Sequence, residues 1–306
     1  MDSVVIKAMA KVNLGLDVLR RRENGYHDVK MVMQTVNLYD TLTISKTENA
    51  QIIITTNTGE LPLNEDNLIY KAAKLLSTHT GKEYGVKIHL DKQIPIAAGM
   101  AGGSTDAAAT LLGLNALYDL GLNKEELAKI GVKIGADVPY CIYGGTCLSE
   151  GIGEVLTKLP DAPDCFVVIA KPGIGVSTKY VYENLHIETV KDHPDIDGMI
   201  DAIKADNLDG VAQKMENVLE TVTIKRYPEI AVMKECLLEN GAENALMSGS
   251  GPTVFGIFKE EEKAKRALFK LEETGLVKQV FVTTLAKEKG IIERQEDFKW
   301  ETLNSR

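Results

Sequence analysis

The sequence has few of the residues that build metal centres and disulfide frameworks. Its 306 residues include four cysteines and five histidines, and no two cysteines form a Cys-x-x-Cys pair. This scarcity argues against a zinc site or a disulfide-stapled fold, and free thiols are typical of a reducing cytoplasm. No apolar run approaches the roughly 20 residues of a membrane span, and residues 1–7 lack the features of a signal peptide. We therefore expect a soluble, cytoplasmic protein.

An excess of basic residues is also lacking. The formal net charge is −9 at pH 7, whereas a nucleic-acid-binding protein needs a basic surface to displace phosphate counterions. We expect a small-molecule substrate, no nucleic-acid or membrane partner, and a monomer or weak homodimer. An acidic protein can still bind a nucleotide, because helix N-termini and local loops supply the positive potential.

Alternating side chains mark the first part of the chain as β-structure. Residues 12–18 alternate apolar side chains with polar ones and glycine, the period of a strand. Asn24-Gly25 is a hairpin-turn signal and precedes a second strand-like run over residues 29–38. Helical patterns follow over residues 67–79 and 104–117. The second is apolar on almost every side, which predicts a buried helix.

The second half of the chain has a different order of elements. The proline-containing segment 155–164 is the predicted domain boundary. Beyond it, the principal strands and helices follow the order β-α-β-β-α-β, the ferredoxin-like arrangement, with a further helix predicted within residues 208–221. The tail from Lys287 onward is highly charged and contains Trp300, to which the pattern assigns no element. The predicted fold class is α+β in two domains.

The strongest chemical signal is a glycine-rich segment between a predicted strand and the buried helix. It reads Pro95-Ile96-Ala97-Ala98-Gly99-Met100-Ala101-Gly102-Gly103-Ser104-Thr105. Glycines let the backbone approach a ligand closely, and the N-terminus of a helix favours a phosphate group. The hydroxyls of Ser104 and Thr105 could reach phosphate oxygens or a magnesium ion. The segment is neither a Walker A loop nor a Gly-x-Gly-x-x-Gly fingerprint, and a simple turn with Ser104 as N-cap is the alternative.

Four other features of the sequence contain side chains that could take part in catalysis or binding. Lys11 and Asn13 are two residues apart on a predicted strand and therefore share a face. Asp137 follows a predicted helix, Tyr26-His27 follows the hairpin signal, and residues 248–252 form a loop rich in glycine and serine. Each feature alone is more often structural, as a solvated strand face, a side chain bonded to nearby backbone, or a turn. Their joint occurrence favours a functional site.

Together these segments resemble the GHMP kinases. Residues 95–105 are similar to the second motif of that family, Pro-x-x-x-Gly-Leu-x-Gly-Ser-Ser-Ala, in a form with a doubled glycine. Residues 10–14 are similar to its Ala-Lys-[Ile/Val]-Asn-Leu opening, and residues 246–253 to its third motif. The resemblance implies a two-domain GHMP kinase fold, with a domain like ribosomal protein S5 domain 2 over residues 1–160 and a ferredoxin-like domain over residues 161–306. It also implies ATP as co-substrate, with Mg²⁺.

Two further segments, Gly25-Tyr26-His27 and residues 135–140, resemble those members of the family whose acceptor alcohol carries a cytosine. The resemblance implies that Asp137 is the catalytic aspartate with Lys11 as its partner, and that residues 95–105 hold the ATP phosphates. The implied substrate-binding residues are Asn13, Tyr26, His27, Thr178 and Tyr182.

The sequence departs from the family pattern at three positions. Met100 replaces the usual Leu, a change that nearly conserves volume, and Thr105 replaces the second Ser but keeps a hydroxyl. Gly15 stands where a bulkier residue is common, which predicts a larger acceptor pocket.

Two other functions are compatible with the same fold. A GHMP kinase acting on mevalonate, homoserine or a sugar would have no use for the Gly25-Tyr26-His27 segment. A catalytically inactive regulator would be expected to have lost Lys11, Asp137 or the loop glycines, and all of them are present.

Overall fold

The N-terminal half of the chain builds a largely antiparallel sheet. The computed structural model describes residues 2–287 and 292–293, and within them this sheet has seven strands. The strands are β1 (Ser3–Arg21), β2 (His27–Lys46), β3 (Ile52–Thr56), β4 (Val86–Asp91), β5 (Thr146–Glu150), β6 (Val155–Lys158) and β11 (Ile292–Glu293). Their order is β11-β1-β2-β4-β3, with β5 also paired to β2 and β6 to β5. Only β3 and β4 are parallel among these described strands.

The first two strands form a long hairpin, which confirms the predicted one. They are 19 and 20 residues long, so each extends well beyond its alternating run. Lys11 lies opposite Thr35 near the middle, and Arg21 lies opposite His27 at the tip. In the turn between them, the N–H of Arg22 donates to the carbonyl of Tyr26 at 2.7 Å.

Four helices cover one face of this sheet. They are α1 (Leu68–Thr80), α2 (Gly102–Leu117), α3 (Lys124–Gly131) and α4 (Val138–Tyr143). Helix α2 is buried along most of its length, as its uniformly apolar sequence predicts. It lies close against the sheet at Gly113, where an added Cβ would come within 2.5 Å of Ile44 and 2.7 Å of Ile6.

The C-terminal half forms a second sheet of four antiparallel strands in the described residues. These are β7 (Phe166–Pro172), β8 (Asn244–Met247), β9 (Val254–Phe258) and β10 (Val277–Thr284), in the order β10-β7-β9-β8. With α9 (Glu229–Glu239) and α10 (Glu261–Glu273), they follow the predicted β-α-β-β-α-β order. The ferredoxin-like arrangement is therefore confirmed.

Additional helices lie between β7 and α9. They are α5 (Thr178–Glu183), a 3₁₀ turn (Ile187–Thr189), α6 (Ile196–Lys204), α7 (Leu208–Lys214) and α8 (Glu220–Arg226). The helix predicted within residues 208–221 is present as α7, but it ends at Lys214 because the chain between α7 and α8 pairs with β1. The N–H of Leu16 donates to Glu216, and the N–H of Val218 donates to Leu16.

The segment predicted as the domain boundary, residues 155–164, begins with β6 of the first sheet, and residues 159–165 connect β6 to β7 of the second sheet. Residues 292–293 form β11 beside β1. The division into residues 1–160 and 161–306 stays a prediction. Most of the charged tail, including Trp300, lies outside the described residues. Among the helices that the structure does describe, none combines the length and apolar character needed to cross a membrane.

Candidate active site

The glycine-rich segment is a loop between β4 and α2 whose backbone turns through several residues with positive φ. These include Ala97 (52°), Gly99 (72°) and Ala101 (58°). Helix α2 begins at Gly102, two residues before the predicted helical pattern, with Ala101 as an N-cap that makes no side-chain capping bond. Ser104 therefore lies in the first turn of α2, and the alternative reading of it as an N-cap is wrong. The unpaired N–H groups of this first turn provide hydrogen-bond donors for an anion.

A cavity of about 340 Å³ lies along this loop. Every residue from Pro95 to Ser104 lines it, together with the side of α1 around Asn67 and Leu68. Thr105 does not line it. That side chain is 2% exposed and faces Cys141 in a separate small cavity, because successive helical residues point in directions about 100° apart.

Lys11 stands where β1 passes the loop. Its backbone N–H donates to the carbonyl of Met100 at 3.2 Å. Its buried ammonium group donates to Oδ1 of Asn13 at 2.8 Å and to the carbonyl of Gly99 at 3.0 Å. The strand spacing thus places Lys11 and Asn13 on one face as predicted, and that face is buried rather than solvated.

Asp137 approaches the same ammonium group from the start of α4. Its Oδ2 lies 4.0 Å from Nζ of Lys11, and its side chain is 32% exposed. Although Asp137 occupies the N-cap position, it makes no side-chain capping bond. The carboxylate therefore does not bond to the nearby backbone, the structural role considered as an alternative, and it lines the site instead.

The third loop, between β8 and β9, closes the site from the C-terminal domain. The hydroxyl of Ser248 donates to the carbonyl of Gly99 at 3.0 Å. The position of this loop depends on Asn217, a buried residue that the sequence analysis missed. Its amide donates to the carbonyls of Met247 and Gly249, each at 2.8 Å.

A second, larger cavity of about 760 Å³ adjoins the first and holds the remaining predicted residues. Its inner end, at the middle of the β1–β2 hairpin, is lined by Lys11 and Asn13 with Asp137 beside them. Its outer end, at the hairpin tip, is lined by Tyr26 and His27, with Tyr182 next to His27. Thr178 also lines the cavity, beside Ser250. The two cavities share Gly99, Ala101 and Ser104. The site is thus a continuous cleft in which the glycine-rich loop of residues 95–105 separates two compartments.

Aromatic rings form the outer end of the larger cavity. The rings of His27 and Tyr182 lie 5.2 Å apart at 36°, and the hydroxyl of Thr178 is 2.8 Å from that of Ser250. Burial, with a smaller effect of Arg21, lowers the pKa of His27, which favours a neutral imidazole at pH 7. Tyr26 is 58% exposed at the mouth. Such a pair of rings beside an exposed tyrosine suits a flat, uncharged heterocycle.

The prediction that Gly15 enlarges the acceptor pocket is wrong. Gly15 does not line the larger cavity but packs against α6. A Cβ at this position would lie 2.8 Å from Ile196 and 3.1 Å from Met199. The missing side chain therefore makes room for helix α6 rather than for a ligand.

A buried charge cluster beneath the glycine-rich loop was also not predicted from the sequence. Nζ of Lys92 lies 2.5 Å from Asp40 and 2.8 Å from Asp106. Asp40 also accepts hydrogen bonds from the backbone N–H groups of Gln93 and Ile94. Oδ1 of Asp106, in contrast, has no partner in the part of the chain that the structure describes.

Two buried carboxylates sharing one ammonium group cannot both remain ionised at low cost. Burial raises the pKa of Asp106 to about 8, with the Asp40 carboxylate adding to the effect and Lys92 opposing it. Asp106 therefore keeps a proton to a higher pH than an ordinary carboxyl group does.

Comparison with known proteins agrees with this architecture. The model of the GHMP kinases N terminal domain matches residues 67–145, and that of the GHMP kinases C terminal domain matches residues 199–276. A 4-diphosphocytidyl-2-C-methyl-D-erythritol kinase of Lachnoclostridium phytofermentans is 53% identical over 95% of this chain and 100% of its own length. The enzyme of that name from Lachnospira eligens is 55% identical over 92% of this chain and 98% of its own length.

Solved structures give the same result. A crystal structure of 4-(cytidine 5'-diphospho)-2C-methyl-D-erythritol kinase matches with a TM-score of 0.79 and 32% identity, over 92% of this chain and 99% of that one. A homoserine kinase from Cytophaga hutchinsonii shares the fold with a TM-score of 0.76 at 21% identity, over 93% of this chain and 95% of that one. The chain therefore belongs to the GHMP kinase family, together with the relatives named 4-diphosphocytidyl-2-C-methyl-D-erythritol kinase.

Proposed function

We propose that the protein transfers the γ-phosphoryl group of ATP to the 2-hydroxyl of 4-diphosphocytidyl-2-C-methyl-D-erythritol. The products are the 2-phosphate and ADP, and the reaction belongs to the non-mevalonate route to isoprenoid precursors. The observation that carries the proposal is the junction of the two cavities. The phosphate loop faces one compartment, and Lys11 and Asp137 stand just inside the other.

The loop side of the junction suits ATP. Its triphosphate would lie along residues 95–104, where the first turn of α2 presents N–H groups and the positive end of the helix dipole. The γ-phosphate would then point to the residues common to both cavities, Gly99, Ala101 and Ser104. Phosphoryl transfer depends mainly on such positioning and on charge stabilisation.

On the acceptor side, Asp137 would orient the attacking hydroxyl and accept its proton. The carboxylate is partly exposed and makes no capping bond, so it is available to a ligand. Lys11 would stabilise negative charge on the transferred group. Its amine is held by Asn13 and Gly99, so it is already oriented before substrate binds.

We propose Mg²⁺ as the metal that accompanies ATP. In kinases Mg²⁺ keeps several waters and is bound through one or two carboxylates plus phosphate oxygens. The junction fits this pattern, since Asp137 offers a carboxylate there, and the described residues contain no cluster of three or more acidic, histidine or cysteine side chains that could hold a metal. When bound, the ion would neutralise charge on the phosphates.

The outer end of the larger cavity would hold the cytosine. His27 and Tyr182 supply two adjacent, mutually tilted rings, and Tyr26 supplies an exposed one. Thr178 would hold α5 in place through Ser250. A mevalonate or homoserine acceptor would leave this end of the cavity empty.

We further propose that the enzyme works in the cytoplasm as a monomer or weak homodimer. All four cysteines are free thiols, which suits a reducing compartment. Light scattering at micromolar concentration would test the oligomeric state.

The function is tested by ADP release with three acceptors offered separately. These are 4-diphosphocytidyl-methylerythritol, unmodified methylerythritol and mevalonate. Turnover with the cytidylated compound alone is the expected result. Turnover with mevalonate alone would retain the family and overturn the proposed acceptor.

A further inference from the structure

Three consecutive arginines lie where strand β1 ends and the hairpin turn begins, and they differ in their partners. Arg20 and Arg22 both bind the carboxylate of Asp28, each at 2.5 Å. Arg21, between them, forms no ion pair with any carboxylate in residues 2–287. A guanidinium left without a carboxylate at such a position has its hydrogen-bond donors available to a ligand.

The strand register explains this difference. Arg20 lies opposite Asp28, and Arg21 lies opposite His27. Because successive strand residues point to opposite faces, Arg21 shares its face with His27, whereas its two neighbours point away. Arg21 accordingly lines the 760 Å³ cavity.

Arg21 also supplies the excess charge of this cavity. The lining carries three cations, Lys11, Arg21 and Lys179, and two anions, Asp137 and Glu183. Lys11 lies beside Asp137 at 4.0 Å, and Lys179 lies beside Glu183 at 3.8 Å. Arg21 is the cation left unmatched, in a chain whose net charge is −9. The cavity is thus locally positive on a protein that otherwise repels anions.

We infer that Arg21 binds the diphosphate group of the acceptor and selects a nucleoside-diphosphate-linked alcohol over an uncharged one. The inference rests on the proposed function, which places the base beside His27 and the reacting hydroxyl beside Asp137. The diphosphate is the anionic part of the acceptor that joins these ends. A guanidinium presents a fork of N–H donors that fits phosphate oxygens better than an ammonium does.

The test compares binding of cytidine 5'-diphosphate and cytidine by calorimetry, with ADP saturating the phosphate-loop site. The proteins are the wild type, Arg21→Ala, Arg21→Lys and the control Arg20→Ala. The Arg20→Ala variant loses the same charge one residue away, but the side chain of Arg20 points to the other face of the hairpin. In turnover assays with the cytidylated acceptor, Arg21→Ala should raise KM and leave kcat nearly unchanged.

For Arg21→Ala we expect roughly tenfold weaker binding of cytidine 5'-diphosphate, because the variant loses one charged hydrogen-bond partner at an exposed site. The affinity for cytidine should change by less than about twofold. Arg21→Lys should recover part of the loss, and the difference should shrink as salt is raised. Equal weakening of both ligands, or equal effects of Arg20→Ala and Arg21→Ala, would overturn the inference and leave the proposed function intact. A wild type that binds neither ligand would overturn both.

Discussion

The hydroxyl of Ser248 donates a hydrogen bond to the carbonyl oxygen of Gly99, 149 residues earlier in the chain, at 3.0 Å. The same oxygen accepts the ammonium group of Lys11 at 3.0 Å. One carbonyl thus joins the opening strand, the phosphate loop and the loop from the C-terminal domain. The three motifs that define the family in sequence meet at this atom.

Substitution of Gly99 should disrupt the junction. In Gly99→Ala the new Cβ would lie 2.3 Å from the carbonyl oxygen of Ser248, at a φ of 72°. We expect a loss of about 1–3 kcal/mol in the free energy of unfolding, measured by urea denaturation, and a large loss of kcat/KM for ATP. Gly81→Ala is the control, because Gly81 has a similar φ of 67° with no atom within 4 Å of the added Cβ. Equal activity losses in the two variants would contradict the role given to this contact.

Neutralising Asp137 should slow the chemical step. Asp137→Asn keeps the shape of the side chain but cannot accept the proton of the hydroxyl, and we expect kcat to fall roughly 10²–10⁴-fold. Binding of ATP in the absence of Mg²⁺, measured by calorimetry, should change little because Asp137 does not line the loop cavity. Asp201→Asn, on an aspartate whose side chain is 78% exposed on α6, serves as the control. Near-normal turnover in Asp137→Asn would refute the assignment.

Removing one ring from the outer end of the larger cavity should weaken acceptor binding. Stacking of a base on an aromatic side chain contributes about 1–3 kcal/mol, so Tyr182→Ala should raise KM for the cytidylated acceptor roughly tenfold and leave KM for ATP unchanged. Tyr180→Ala is the matched control, since Tyr180 lies on the same helix but faces Arg226, 4.4 Å away. A larger effect on kcat than on KM would point instead to a shift of the catalytic centre.

Stability should depend on pH through Asp106. Burial raises its pKa in the folded protein to about 8, against about 4 in the unfolded chain. A raised carboxyl pKa means that the folded state binds the extra proton, so the contribution to stability is present below about pH 4 and is lost as the pH rises towards 8. Between pH 5.5 and pH 8.5 the wild type should therefore lose stability by an amount on the order of 1–3 kcal/mol, measured by urea denaturation.

Asp106→Asn should remove most of this pH dependence, because the amide does not titrate. Asp40→Asn is the contrasting variant. Asp40 accepts hydrogen bonds from two backbone N–H groups and from Lys92, so Asp40→Asn should destabilise the protein by about 3–5 kcal/mol. A wild type and an Asp106→Asn variant with parallel stability profiles would show that Asp106 is ionised throughout.

The local patterns predicted the hairpin, the buried helix and the ferredoxin-like order, because each depends on periodicity or on turn residues close in sequence. The Lys11 and Asn13 pair was likewise visible, since two residues on one strand share a face whatever surrounds them. Asn217 was not visible, because its partners Met247 and Gly249 lie 30 and 32 residues away. The same holds for Lys92, whose partners Asp40 and Asp106 lie 52 and 14 residues away.

The start of α2, predicted two residues too late, and the end of α7 at Lys214, which was not predicted, have a different cause. In both, tertiary contacts override the local pattern. Ala101 adopts a left-handed conformation that lets the helix begin at Gly102, and the main chain around Asn217 pairs with Leu16. Neither contact leaves a signal within the few residues that a pattern compares.

The β1–β2 hairpin carries both ends of the larger cavity on one continuous ribbon. Lys11 lies on its inner part, and Arg21 and His27 face each other at its tip. Main-chain hydrogen bonds therefore fix the separation of the two ends, and this separation sets the length of acceptor that can span the cavity. Lengthening each strand by two residues between these points would move the tip outward by roughly 6–7 Å, enough to change which acceptors span the gap while the phosphate loop stays untouched.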